Sequence, residues 1–166
     1  MENLLILGAG QYAMVVQEIA RSLDCFDRIG FLDDRNPIAI GKLEDFARFF
    51  PAYRCAIVAM GNPQLRRDWT VRLENAGFTV PVLIHPRAYI SPCAILGAGT
   101  VAEPMAVVQT GARIGSGCLL CAGSVVNHNA CVGDFCQIDC NAVVPANMQV
   151  EAGTKVPCGS VFAAQT

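Results

Sequence analysis

From Ile90 onward every sixth residue is aliphatic or alanine: Ile90, Leu96, Ala102, Val108, Ile114, Leu120, Val126, Val132, Ile138, Val144, Val150 and Val156. Four residues after each stands Ala94, Thr100, Ala106, Ala112, Cys118, Ser124, Ala130, Cys136, Ala142, Met148, Thr154 or Ser160, and eleven of these twelve are small. The residue before the small one is Gly or Asn in nine of twelve repeats: Gly99, Gly111, Gly117, Gly123, Asn129, Asn141, Asn147, Gly153 and Gly159. Gly and Asn are the residues that tolerate a left-handed backbone at a corner. A six-residue period of this kind specifies a parallel β-helix, one short strand and one turn per repeat. Chance repetition does not survive twelve in-phase matches. Three repeats close an 18-residue coil, so residues 90–161 make four coils, about 19 Å tall at the spacing of paired strands.

Residues 1–84 follow a different grammar. Asn3–Leu7 reads as a buried strand that runs into Gly8-Ala9-Gly10. Ala13, Val16, Ala20 and Leu23 then fall on one helical face. Arg28–Leu32 is a second strand ending at Asp33-Asp34, a short helix lies around Leu43–Phe49, and Cys55–Met60 is a third strand. Asn62 and Pro63 suit the N-cap and first turn of a helix with apolar face Leu65, Trp69, Leu73 and Ala76, ended by Gly77. Thr79–Ile84 reads as a fourth strand. The β-α-β alternation predicts a small parallel sheet covered by helices, hence an N-terminal α/β domain over 1–84 and a β-helix domain over 85–166.

Charge and composition restrict the function. Twelve basic and 14 acidic residues give a net charge of −2, so a basic nucleic-acid footprint is not expected from bulk charge. No apolar run approaches the ~20 residues of a membrane span. The opening Leu4–Leu7 run is short and follows Glu2 rather than a basic stretch, so no secretory signal is expected. Nine scattered cysteines fit a reducing interior better than a disulfide framework, and the expectation is a cytoplasmic protein.

The chain resembles a known family at Gly8-Ala9-Gly10, Gly30-Phe31-Leu32-Asp33-Asp34, Gly61-Asn62-Pro63 with Arg66, Leu83-Ile84-His85-Pro86, Val125-Val126-Asn127-His128 and Val132-Gly133-Asp134-Phe135. These stretches, in order and at the family's spacing, are similar to the hexapeptide-repeat sugar O- and N-acyltransferases of the sialic acid and bacillosamine type. The resemblance implies a half-Rossmann-like N-terminal domain, a left-handed β-helix and a homotrimer with acetyl-CoA between neighbouring prisms. It implies an acceptor that is a sugar or nucleotide-sugar, acylated on an amino or hydroxyl group. His128, one of only two histidines, matches the family's general base, which takes the proton of the attacking group. One coil on, Ala146 stands where the family commonly has Gly, whose backbone N–H contacts the thioester. Two positions depart from the family: Asn129 replaces the acid beside the base, and Gln137 replaces a second His nine residues after the first. Those departures and the short β-helix keep open an alternative, a catalytically impaired trimer that binds a sugar nucleotide.

Gly8-Ala9-Gly10-Gln11-Tyr12-Ala13 also fits the G-x-G-x-x-G/A turn between strand and helix, with Asp33 and Asp34 about twenty-five residues on. Four strands are half a dinucleotide fold, so a single nucleotide is a better fit than NAD. Its phosphate would face the helix N-terminus, with Asp33 or Asp34 on ribose or base, and Gly61 and Asn62 beside it. Cys118-x-x-Cys121 has no second pair at zinc-finger spacing, Cys118 and Cys136 share the interior slot, and no metal is expected. Glu103, Glu151 and Lys155 read as solvated surface.

Overall fold

The computed structural model describes residues 1–163 and divides into two compact units, with the division between Pro81 and Val82. In the first unit β1 (Glu2–Leu7), β2 (Phe26–Leu32) and β3 (Cys55–Val58) form a parallel sheet in the order β2-β1-β3. Leu4, Leu5, Ile6 and Leu7 of the central strand are fully buried, as a strand covered on both faces requires. Helix α1 (Gln11–Ser22) buries Ala13, Val16, Ile19 and Ala20. A short 3-10 turn (Leu43–Asp45) leads into α2 (Phe46–Phe49), whose Phe46 meets Trp69 edge-on at 5.9 Å.

Helix α3 (Pro63–Asn75) starts as its sequence indicates: the Asn62 side chain accepts the Leu65 N–H, and Pro63 occupies the first turn. Its buried face differs from the expected one by one residue. Arg66, Trp69, Thr70 and Leu73 are buried, whereas Leu65 is 49% exposed. The displaced stripe has a physical cause: the Arg66 guanidinium donates to the carbonyls of Met60 and Gly61, at 2.8 and 3.0 Å. Satisfied by those carbonyls, a charged head costs little to bury. No helix among the described residues is long and apolar enough to cross a membrane.

The second unit is a left-handed parallel β-helix of hexapeptide repeats, with thirteen two-residue strands among the described residues. They stack into three faces. The first carries Leu83–Ile84, Val101–Ala102, Leu119–Leu120, Gln137–Ile138 and Lys155–Val156. The second carries Tyr89–Ile90, Val107–Val108, Val125–Val126 and Val143–Val144. The third carries Ile95–Leu96, Arg113–Ile114, Cys131–Val132 and Gln149–Val150. Each strand pairs with the one 18 residues away, as in Val125↔Val143. The second residue of each strand points inward, and from Ala102 to Val156 all ten are at most 4% exposed. Each Val, Leu or Ile so buried is worth roughly 1.5–3 kcal/mol.

The β-helix starts one repeat earlier than the pattern from Ile90. Leu83–Ile84 pairs with Val101–Ala102 and is the first rung, so Thr79–Ile84 is not a fourth strand of the α/β sheet. Of this stretch Thr79 alone pairs with that sheet, through a single bridge to Cys55. Pro81 supplies the break, since it has no N–H to extend a ladder. Ile84, six before Ile90, is in phase with the repeat.

Every corner at six-residue spacing from Gly99 to Gly159 has a left-handed backbone, with φ between 56° and 73°. That includes Met105 and Phe135, where the sequence offers neither Gly nor Asn. Phe135 is compensated by packing: its ring covers the bare Cα of Gly117 one coil below, and Phe135 is only 7% exposed. Gly117→Val should therefore destabilise the protein by about 1–2 kcal/mol from backbone strain alone. The added side chain would also meet the Phe135 ring. A melting temperature equal to the wild type would contradict this register.

Candidate functional site

At the carboxyl edge of the small sheet, Gly8-Ala9-Gly10 leaves the central strand and Gly61-Asn62 leaves its neighbour β3. Ligands of open α/β sheets bind at this edge. Gly8 is required by the fold: its φ is 101° and a Cβ would meet the Ala59 carbonyl at 3.0 Å. Gly10 and Gly61 are not, because their φ values are ordinary and a Cβ on either would meet nothing within 4 Å. Both leave bare backbone facing open space. Gly10 also caps α1 without a side chain, and no acid occupies the first turn, so no side chain of the helix itself offsets the positive end of its dipole.

Asp33 does not extend into this space. Its Oδ2 accepts the Ala9 N–H, and its Oδ1 accepts the N–H groups of Arg35 and Asn36, all at 2.9 Å. Asn36 returns a bond to the Ala9 carbonyl at 2.6 Å. The Arg35 N–H foremost, with those of Asn36 and Ala9, holds the Asp33 carboxyl below the usual carboxylate range. Asp34, exposed, accepts the Leu43 N–H at 3.2 Å. The two acids thus shape the loops that frame the edge.

In the β-helix His128 lies on the turn between the second and third faces, with an exposed side chain. Its backbone is fixed from both sides. The His128 N–H donates to Gln109 Oε1 at 3.2 Å, and its carbonyl accepts the Asn147 N–H at 3.2 Å. Asn129 holds the left-handed corner, φ 58°, and its amide folds over the bare Cα of Gly111. From there Asn129 Nδ2 is 3.5 Å from His128 Nδ1. One coil above, Ala146 is half-buried and its N–H has no acceptor among the described residues.

Gln137 is not brought to His128 within one β-helix. It opens a strand of the first face, half-buried, with Nε2 3.9 Å from Cys121 Sγ. The His128 turn and the Gln137 strand flank the third face on opposite sides.

Two further residues carry structure that the sequence did not reveal. Arg66 ties down the turn that carries Gly61. Glu103, expected on the solvated surface, is only 9% exposed and accepts the Ala122 N–H at 3.0 Å. Burial pushes its carboxyl above the usual range. Its hexad position, one after an inward residue, is shared with Cys121 and Asp139, and nothing in the repeat distinguishes a buried member of that column from an exposed one. Lys155 and Glu151 are exposed, as expected.

Comparison with known proteins places this architecture. Residues 3–73 match the PglD N-terminal domain family. UDP-N-acetylbacillosamine N-acetyltransferase of Bacillus subtilis (strain 168) is 28% identical over 111 residues, 61% of this chain. The match spans about half of that relative's length, 51%. The acetyltransferase domain of PglB from Neisseria gonorrhoeae FA1090, solved with acetyl coenzyme A, superposes with a TM-score of 0.93 at 32% identity. That similarity covers 96% of this chain and 81% of the PglB domain chain. A mutant of perosamine N-acetyltransferase from Caulobacter crescentus, solved with CoA and GDP-perosamine, shares the fold at a TM-score of 0.66 and 21% identity, covering 97% and 91% of the two chains.

The Asp33 network makes a pH-dependent prediction. A carboxyl whose folded pKa lies below its ordinary 3.8 adds stability above that value and loses it as pH falls through the folded pKa. The wild type should therefore be more stable than Asp33→Asn at neutral pH, and the margin should close in strong acid. Unfolding midpoints measured against pH check this; a margin that widens on acidification would contradict it.

Proposed function

Because the chain belongs to the hexapeptide-repeat sugar acyltransferases of the sialic acid and bacillosamine type, we propose that it moves an acetyl group from acetyl-CoA to a sugar or nucleotide-sugar. The acceptor atom is an amino or hydroxyl group, and His128 is the general base. The observation that carries the reading is the His128 turn: an exposed imidazole on a backbone clamped by Gln109 and Asn147, with an Ala146 N–H one coil above that has no acceptor among the described residues. The acceptor nitrogen or oxygen attacks the thioester carbonyl and its proton passes to the imidazole. The Ala146 N–H is placed to donate to the carbonyl oxygen as charge develops there. Collapse expels the CoA thiolate, which takes the proton back from His128.

Asn129 orients the imidazole in this mechanism. By a half-turn of its amide it presents either oxygen or nitrogen to Nδ1 and so holds either tautomer. It lacks the charge with which a carboxylate would stabilise the imidazolium. The N-terminal unit is the acceptor's holder, with bare backbone at Gly10 and Gly61 and the α1 N-terminus directed at the nucleotide phosphates.

The second face of the β-helix supports a homotrimer. Its outward residues are Tyr89, Val107, Val125 and Val143, continued by Val161, which bridges to Val143. An all-apolar outer face calls for a cover. Since His128 ends this face, a neighbouring copy seated on it would complete the site, and Gln137 would reach the reaction from that copy.

Thiol release from acetyl-CoA across a panel of UDP- and GDP-linked amino-sugars tests the reading. His128→Ala should lower turnover about 100- to 10,000-fold with acetyl-CoA affinity nearly unchanged. Asn129→Glu should raise turnover per folded molecule and lower the melting temperature, because it leaves the left-handed corner without its Asn. Wild-type rates in His128→Ala would place the base elsewhere. Sugar-nucleotide binding without acylation of any member of the panel would favour the impaired binding protein.

A further inference from the structure

The turn between the first and second faces gathers thiols and carboxylates that the acyl-transfer reading leaves unused. Cys140 and Cys158 are 18 residues apart and so occupy equivalent positions on consecutive coils. Asp139 precedes Cys140. The ligating atoms of Asp139, Cys140 and Cys158 all lie within 4.8 Å of one another. The backbone that carries them is rigid. The Gly159 N–H donates to the Cys140 carbonyl at 2.8 Å, the Cys140 N–H to Asp139 Oδ1 at 2.9 Å, and the Asp139 N–H to the Val156 carbonyl at 3.0 Å. Glu103 and Cys121 stand two coils and one coil earlier in the Asp139 column, so further oxygen and sulfur groups line the same column. The cation paired with Asp139 is Lys155, at 3.1 Å, with a side chain 59% exposed.

We infer that Asp139, Cys140 and Cys158 form a site for one thiophilic divalent cation of the Zn²⁺ type. Two thiolates and a carboxylate are a donor set that Zn²⁺ takes, with the fourth tetrahedral position left to water. Closing three atoms now within 4.8 Å onto Zn–S and Zn–O bonds of about 2.0–2.3 Å needs side-chain rotation only, because the backbone already stacks the residues. The two thiol protons are released to solvent on binding. Lys155, the exposed partner in its pair with Asp139, moves off into solvent, and the incoming cation replaces its charge beside the carboxylate. The site lies on a different edge of the β-helix from His128 and is structural: it clips the last coils together and draws no step of acyl transfer through itself.

Co²⁺ titration of the reduced full-length protein, followed by thiolate-to-metal absorption and by displacement with Zn²⁺, tests this. The wild type should bind one equivalent with a thiolate band. Cys140→Ser and Cys158→Ser should each weaken binding roughly tenfold or more. Asp139→Asn should weaken it with the band retained, and Lys155→Ala should tighten it. Zn²⁺ should raise the melting temperature of the wild type and not of the Cys140→Ser/Cys158→Ser double variant. Cys25→Ser and Cys93→Ser, at exposed thiols outside the cluster, should titrate like the wild type. The inference is overturned if the double variant binds Co²⁺ as the wild type does, or if the wild type gives no thiolate band.

Discussion

The 18-residue stacking of coils is the constraint on which the β-helix depends. Each coil presents N–H and C=O groups that only another coil in the same register can satisfy, as in Val125 N–H to the Ala142 carbonyl at 2.9 Å. The register fixes which side chain lies above which. It aligns the interior aliphatic column, sets left-handed corners six residues apart, and lays the side chains of Phe135 and Asn129 over Gly117 and Gly111. The same register puts Gln109 under the His128 N–H and Ala146 one coil above it. A side chain on a flexible loop would need its own supports; those of the proposed base come from the ladder.

The N-terminal unit uses a different device. Its sheet ends in two turns, and each is held by a charged side chain satisfied by backbone: Asp33 by three N–H groups, Arg66 by two carbonyls. Charges fixed in this way keep the turns rigid while Gly10 and Gly61 leave backbone open. The pattern suits a ligand recognised through main-chain N–H groups and a helix dipole rather than through acidic side chains.

Much of this was legible in the sequence, for a physical reason. In a β-helix every repeat meets the same environment, so the pattern of twelve hexads carries both fold and register. Single residues were less legible where tertiary partners override the local pattern. Leu65 fits a helical stripe better than Arg66, yet the carbonyls of Met60 and Gly61 draw Arg66 inward. Thr79–Ile84 reads as one apolar strand, but Pro81 divides it between two units. Met105 and Phe135 lack the residue type of a left-handed corner and adopt it because the neighbouring coils impose it. Asp33 matches a nucleotide fingerprint, and only its hydrogen bonds reveal that its oxygens hold the chain's own loop. His128 was singled out through the family resemblance alone, whereas the separation of Gln137 from it needed the faces to be laid out.

The central claim is that an acetyl-transfer site is completed between copies along the apolar second face. Val125→Glu puts a charge in the middle of that face while Val126, the next residue on the same strand, keeps the interior filled. Light scattering together with acetyl-CoA calorimetry tests the claim most directly. The wild type should have three times the 17.7 kDa chain mass and bind acetyl-CoA, and Val125→Glu should be a folded monomer that has lost that binding. A Val125→Glu monomer that binds acetyl-CoA as tightly as the wild type, or a wild type of single-chain mass, would contradict the account.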